Sequence, residues 1–313
     1  MKSPNIKVAI AQYAPVHFNK EATLEKLKNI IKEAASQKVQ LLAVGETWLS
    51  GYPAWLDYGT NISQWDAPEM KQAFVEMFES SITVPGPETK EIGELAAENN
   101  MGIVLGINEK VVAGPGNGTL YNSLLIFNEH GELSVHHQKL MPTFTEKLLY
   151  GLGDGGGLGA TPIHGVRTGA LICWEHWMPL TRQAMHNSGE DIHVALWPNV
   201  HEMLQVSSRH YAFEGRSFVL AVGQIMRVSD VPKGITLSTD MDNPDNLLLK
   251  GGSCIIGPDG KFIIEPIYGE EKLIVTELDI SKVYGERMAL DTSGHYSRPD
   301  VFKFKVKPPK KRV

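Results

Sequence analysis

The chain has 313 residues, 42% hydrophobic and 21% charged, which is enough apolar material for a sizeable core and excludes extended disorder except at the ends. The formal net charge of −6 provides no electrostatic footprint for nucleic acid or an anionic membrane. No apolar run approaches the roughly 18 residues of a membrane span, no signal-peptide pattern opens the chain, and the only cysteines are Cys173 and Cys254, so the expectation is a cytoplasmic protein without disulfides.

Ile6–Ala11 is predicted as a first strand. Leu24, Leu27, Ile30, Ile31 and Ala34 follow at helical steps, and Val39–Val44 is a near-continuous apolar strand, so the chain opens as a βαβ unit on a sheet buried on both faces. Helices are expected from Asp66 and Pro68 through Phe78 and from Glu88 to Asn99, then a strand at Gly102–Ile107. Tyr121–Phe127 and Leu133–His137 form a hairpin around Asn128–Gly131. Ile192–Trp197 and Val219–Val222 are predicted as strands flanking a helix over Leu204–Phe218. Val228–Leu249, polar and without period, is expected as a surface excursion.

A second hairpin joins Gly252–Ile256 to Lys261–Ile264, and Ser253-Cys254-Ile255-Ile256 with Gly260 repeats Ser123-Leu124-Leu125-Ile126 with Gly131. Leu273–Thr276 closes the sheet and a last helix begins near Asp279. An internal two-fold organisation follows, with two sheets packed together and covered by helices in one domain. The basic tail from Lys303 to Arg312, with Pro308 and Pro309, suits a solvated terminus. Gly151, Gly153 and Gly156 formally match G-x-G-x-x-G, but they follow Lys147–Tyr150 and precede Thr161-Pro162-Ile163, so the dinucleotide reading is rejected in favour of a flexible loop.

Three ionisable residues end or directly follow predicted buried strands: Glu46, Lys139 and Cys173. Each alone has an ordinary reading, as a cap or loop acid, a surface charge and a small core residue respectively. Together they make chemical sense, because an ammonium favours thiolate and a carboxylate within reach can take the thiol proton. A Cys-His pair is the weaker alternative, since the nearest histidine, His176, is on the same turn.

The motifs Gly45-Glu46-Thr47-Trp48, Gln138-Lys139-Leu140-Met141-Pro142-Thr143 and Cys173-Trp174-Glu175-His176-Trp177-Met178-Pro179-Leu180 resemble the three signatures of the nitrilase superfamily of carbon–nitrogen hydrolases, and within it the true nitrilases. Asp291–Asp300 is similar to their C-terminal signature, and the resemblance runs from Val8 to about Phe302. It implies a four-layer α-β-β-α sandwich with an internal pseudo-two-fold repeat, a single hydrolase domain over 1–290 and a C-terminal extension over 291–313. It further implies no metal and no organic cofactor, a small-molecule nitrile as the substrate partner, and a homodimer or higher homo-oligomer through the helices after Cys173 and Leu204.

By resemblance Cys173 attacks the nitrile carbon, Glu46 serves as general base, Lys139 stabilises the tetrahedral species and Glu146 positions the lysine or the water. The amide of Trp174 is a plausible charge-stabilising donor. Tyr52, Trp174, Glu175, Trp197 and Asn199 are expected to bind substrate, with the aromatics suiting an apolar body. The same triad also serves cyanide-degrading relatives, amidases and carbamoylases; the Cys173–His176 run argues against the last two. Departures from the family pattern stand at Gly45, Gln138, Lys147 and Tyr150.

Overall fold

Alternation along each strand decides the layering. In strand β1 (Asn5–Gln12) Val8 and Ile10 join the core shared with the second sheet, whereas Ala9 and Ala11 pack against helix α1 (Lys20–Ser36). Both faces are therefore buried, which explains the unbroken apolar runs in β1 and β2 (Leu41–Val44). The Asn19 side chain caps α1 by accepting from Ala22 N at 2.9 Å, and Leu24, Leu27, Ile30, Ile31 and Ala34 form its buried stripe, as the periodicity predicts.

The computed structural model describes residues 5–238 and 243–307. Pro308, Pro309 and the end of the basic tail lie outside the described residues, as do 239–242 of the expected excursion. After β2 come α2 (Trp55–Tyr58), α3 (Pro68–Ser80) and α4 (Pro87–Glu98), the last two opened by proline at the first helical position. β3 (Gly102–Lys110), β4 (Leu120–Phe127) and β5 (Leu133–Gln138) complete the first half. The second half comprises β6 (Thr161–Ile163), β7 (Val166–Ile172), α5 (Pro179–Asn187), β8 (Ile192–Leu196), α6 (Glu202–Gly215) and β9 (Phe218–Val222). β10 (Ile225–Arg227), β11 (Leu247–Ile256), β12 (Phe262–Tyr268), β13 (Lys272–Asp279) and α7 (Ser281–Arg287) follow.

The first sheet runs β13-β1-β2-β3-β4-β5 and the second β10-β11-β9-β8-β7-β6, with β12 on the other side of β11. β1, β2 and β3 are parallel and lead into the antiparallel β4 and β5; β7, β8 and β9 are parallel and lead into β11 and β12. Antiparallel β13 flanks β1 as β6 flanks β7. This is the expected two-fold repeat, and the hairpin serines Ser123 and Ser253 are both fully buried at matching positions. The sheets pack face to face, with α1 and α4 over one and α5 and α6 over the other, giving the four-layer α-β-β-α sandwich.

Two expectations are corrected. The helix predicted over Leu204–Phe218 is α6, which stops at Gly215 because Arg216 turns left-handed at φ +49, and Phe218 already belongs to β9. The excursion predicted over Val228–Leu249 is shorter, since Leu247–Leu249 start β11 and pair with β10. Positive φ at Gly251 and Gly252 bends β11 there, which hid its length from a period-two reading.

Candidate active site

The ends of β2, β5 and β7 converge. Cys173 directly follows β7 and takes a left-handed φ of +50, the first residue of a 3-10 turn over Cys173–Trp177. A side chain on such a turn projects off the strand end, at a backbone cost of order 1–3 kcal/mol that surrounding packing must offset. Glu46 follows β2 and Lys139 follows β5, whose pairing Lys139 extends by donating its N–H to Asn122 O at 2.8 Å. Glu146 sits in a 3-10 turn over Phe144–Leu148 and accepts from Thr143 N at 3.0 Å.

All four side chains are buried. Lys139 Nζ donates to Glu46 Oε1 at 2.8 Å and to Glu146 Oε1 and Oε2 at 3.0 and 2.8 Å. Tyr52 donates its hydroxyl to Glu146 Oε1 at 2.9 Å, and Asn122 Nδ2 donates to Glu46 Oε1 at 2.7 Å. Glu46 Oε2 is buried and, among the described residues, has no hydrogen-bond partner, so it is the oxygen available for proton transfer. Oxygens of Glu46 and Glu146 and the Cys173 Sγ lie within 4.8 Å of one another. That donor set could hold a cation, and the Lys139 ammonium already occupies the position between the two carboxylates.

Electrostatics follow from this burial. Desolvation pushes the Glu46 carboxyl up, Lys139 opposes and Glu146 adds, leaving it at about 7. Burial also raises the Cys173 thiol well above its ordinary value, Glu46 adds to this, and Lys139 only partly offsets it. For Lys139 burial pulls downward, but Cys173, Glu146 and Glu46 outweigh it and the ammonium is held charged. The resting site thus pairs a protonated thiol with a carboxyl poised near neutrality to receive its proton.

A sequence model of the carbon-nitrogen hydrolase family matches residues 7–287. The chain belongs to the carbon–nitrogen hydrolase family. An aliphatic nitrilase of Sinorhizobium fredii (strain HH103) is 35% identical over 300 residues, 96% of this chain and 95% of that protein. Nitrilase 2 of Arabidopsis thaliana is 36% identical over 315 residues, 98% of this chain and 91% of that protein. These relatives put the hydrolase in the nitrilase branch of the family. A carbon-nitrogen hydrolase from Helicobacter pylori G27 shares the fold, with a TM-score of 0.70 over 95% of this chain and 97% of that chain at 17% identity.

In this hydrolase a cleft of about 260 Å³ opens onto Cys173, lined among others by Tyr52, Tyr58, Phe144, Trp174, Asn199 and Leu204. Tyr52, Trp174 and Asn199, which the sequence reading singles out, are among the residues lining this cleft. Glu175 and Trp197 do not line the cleft. Glu175 is buried, its Oε1 accepting from Leu140 N and its Oε2 from Ile172 N, both at 2.8 Å, while His137 Nε2 lies 2.9 Å from Oε1. It ties the residue after Lys139 to the residue before Cys173, which is a positioning task and not substrate contact. Trp197 is fully buried, stacks on His176 at 4.7 Å and donates Nε1 to Ser208 Oγ at 3.2 Å.

Supporting groups that the sequence reading does not name as site residues are Asn122, Thr143 at the end of the Lys139 motif, and Gln224, whose Nε2 donates to the Glu46 carbonyl at 2.7 Å. Asn122 carried a signal, an amide inside the apolar run of β4, whereas Gln224 meets Glu46 only across the two sheets. Gly106 of β3 faces the Glu46 turn so closely that a β-carbon would lie 2.7 Å from the Glu46 Cα and nearer still to Gly45 O. Gly106→Ala should therefore cost about 1–3 kcal/mol through backbone displacement and lower turnover by moving Glu46. Denaturant midpoints and kcat would be measured together; an alanine variant as stable and active as the parent would refute this close-packing argument.

Proposed function

We propose that this hydrolase is a nitrilase that converts a small organic nitrile to its carboxylic acid and ammonia. The observation carrying this reading is the buried Lys139 ammonium shared by Glu46 and Glu146 beside the strand-end thiol; the near-full-length relatives named nitrilases supply the substrate class. Cys173 Sγ attacks the nitrile carbon, and its proton passes to Glu46 Oε2 and on to the nitrile nitrogen, giving a thioimidate. Lys139 and the Trp174 amide stabilise the negative charge that develops. Water, deprotonated by Glu46, adds to the thioimidate carbon; the nitrogen leaves as ammonia and an acyl-enzyme remains. A second water, activated the same way, displaces Cys173 and releases the acid. Glu146 acts by holding Lys139.

Tyr52, Trp174 and Asn199 are assigned to the substrate, and the cleft, slightly smaller than the about 300–1,000 Å³ usual for ligand pockets, suits a small molecule. Residues 1–290 are taken as one catalytic domain with 291–313 as an extension. We further assign a homodimer through the exposed Trp177 and Leu180 around the start of α5 and Met203 and Val206 of α6, an apolar face on helices. The free cysteines Cys173 and Cys254 suit a reducing cytoplasm. Measuring acid, amide and ammonia from panels of nitriles, amides and cyanide tests the assignment. Turnover of amides alone or of cyanide alone would replace it with the corresponding relative.

The acid limb of activity is a second test. Glu46 accepts the thiol proton only as a carboxylate, so kcat/KM should fall as pH drops through about 7. Glu146 is one of the charges raising Glu46, so Glu146→Gln should shift that limb to lower pH whatever it does to the maximal rate. A limb that stays put or rises would contradict the assignment of Glu46. Folding stability has the matching sign: the raised Glu46 value means the native state holds an extra proton between the ordinary 4.5 and about 7, so this contribution is lost as pH rises through that window.

A further inference from the structure

A chain of buried polar groups leads from the nucleophile's own peptide to the layer under α6. His176 Nδ1 lies 2.7 Å from the Cys173 carbonyl oxygen, and His176 Nε2 lies 2.9 Å from His193 Nε2. His193 Nδ1 lies 2.8 Å from Glu190 Oε2, and the other Glu190 oxygen accepts the Tyr211 hydroxyl. None of His176, His193, Glu190 and Tyr211 is more than 1% exposed.

Proton counting fixes the charge of this chain. A carbonyl only accepts, so His176 Nδ1 carries a proton; a carboxylate only accepts, so His193 Nδ1 carries one as well. The Nε2–Nε2 contact needs a third proton between the rings. Two neutral imidazoles carry only two N–H protons, so the third is shared along the chain with Glu190; burial and the neighbouring His193 hold the His176 imidazolium down at about 3, which places the positive charge on the Glu190 side of the pair. Glu190 stays ionised despite its burial because His193 and His186 lower its pKa.

The receiving end is the peptide joining Cys173 to Trp174. A hydrogen bond donated to a peptide carbonyl draws electrons along the amide and strengthens its N–H as a donor, an effect larger with charge behind it. Trp174 N–H belongs to the opening of a 3-10 turn, where amides have no acceptor within the turn. Its side chain and Cys173 both line the cleft.

We propose that His176 and His193 form a charged relay that polarises the Cys173–Trp174 peptide, making the Trp174 amide a stronger donor to the negative charge developing on the substrate. This rests on the hydrolase reading above. His176, His193 and Glu190 are positioning residues, because they act through the peptide and touch no reacting atom.

The test compares a reaction that builds charge at this amide with one that does not. His193→Gln keeps a donor to His176 without the charge, and Glu190→Gln removes the counter-charge; thermal unfolding checks that each folds. Hydrolysis of the best nitrile is measured alongside thiolation of Cys173 by methyl methanethiosulfonate, which transfers CH3S to the thiolate and releases methanesulfinate, with Cys173→Ala correcting for Cys254. The expected result is a kcat lower by about 10- to 100-fold, with KM and the thiolation rate within about threefold of the parent. Unchanged kcat in a folded variant overturns the relay, and so does a parallel fall of kcat and thiolation, which marks a purely structural role. A parent enzyme that hydrolyses amides but no nitrile overturns the nitrilase reading instead, and the same variants are then judged by the same criteria on the amide.

Discussion

Cys173→Ala is expected to lower turnover by on the order of 10⁴–10⁶-fold while the protein remains folded. Of the two cysteines only Cys173 lines the cleft. Cys254 is buried in β11 and surrounded by core residues, with burial holding its thiol up at about 12. The cost to stability should stay below about 1.5 kcal/mol, since only one sulfur is removed and alanine retains the Cβ in the same backbone turn. Circular dichroism with a denaturant titration reports the fold, and single-turnover assays report the chemistry. Retained hydrolysis by a folded alanine variant would falsify covalent catalysis at this position.

Lys139→Met is expected to have the largest effect on stability and to abolish activity as well. The ammonium is the shared hydrogen-bond partner of two buried carboxylates, at 2.8 Å from each. Methionine fills similar space but leaves Glu46 and Glu146 facing each other without a cation. Breaking a buried ion pair by removing one partner costs about 3–5 kcal/mol, because the remaining charges are neither solvated nor paired. The loss has a pH signature. Without Lys139 the folded Glu46 carboxyl favours protonation still more strongly, so the native state binds more protons than the unfolded chain across the acidic range, and stability relative to the parent recovers as pH falls. Urea unfolding at about pH 5 and about pH 8 measures this; a deficit equal at both values, or larger at the lower one, would show that Lys139 does not neutralise the two glutamates.

The parallel core was legible in the sequence for a physical reason. Strands buried on both faces are largely apolar, so β1, β2, β8 and β9 announce themselves as runs rich in Val, Ile, Leu and Ala, with His193 of β8 a buried polar exception. Helices with one buried stripe, such as α1, do so by their period. The edges were less legible: β11 carries two glycines at positive φ that interrupt its pattern, and α6 ends on a left-handed arginine where a helical pattern runs straight into β9.

For the site, the sequence by itself singled out Glu46, Lys139 and Cys173, since each stands where an apolar run gives way to an ionisable group. Tertiary structure decided how they are used. Tertiary contacts bring Tyr52 onto Glu146 and Glu146 onto Lys139, and the packing of the two sheets delivers Gln224 to the Glu46 carbonyl. It also moved Glu175 and Trp197 from the expected substrate wall into the framework: Glu175, in the turn after β7, accepts from the Leu140 and Ile172 amides, and Trp197, just after β8, stacks on His176 and donates to Ser208 Oγ. Chain order names a charge, but its partners, its desolvation and hence its protonation depend on which distant strand ends lie beside it.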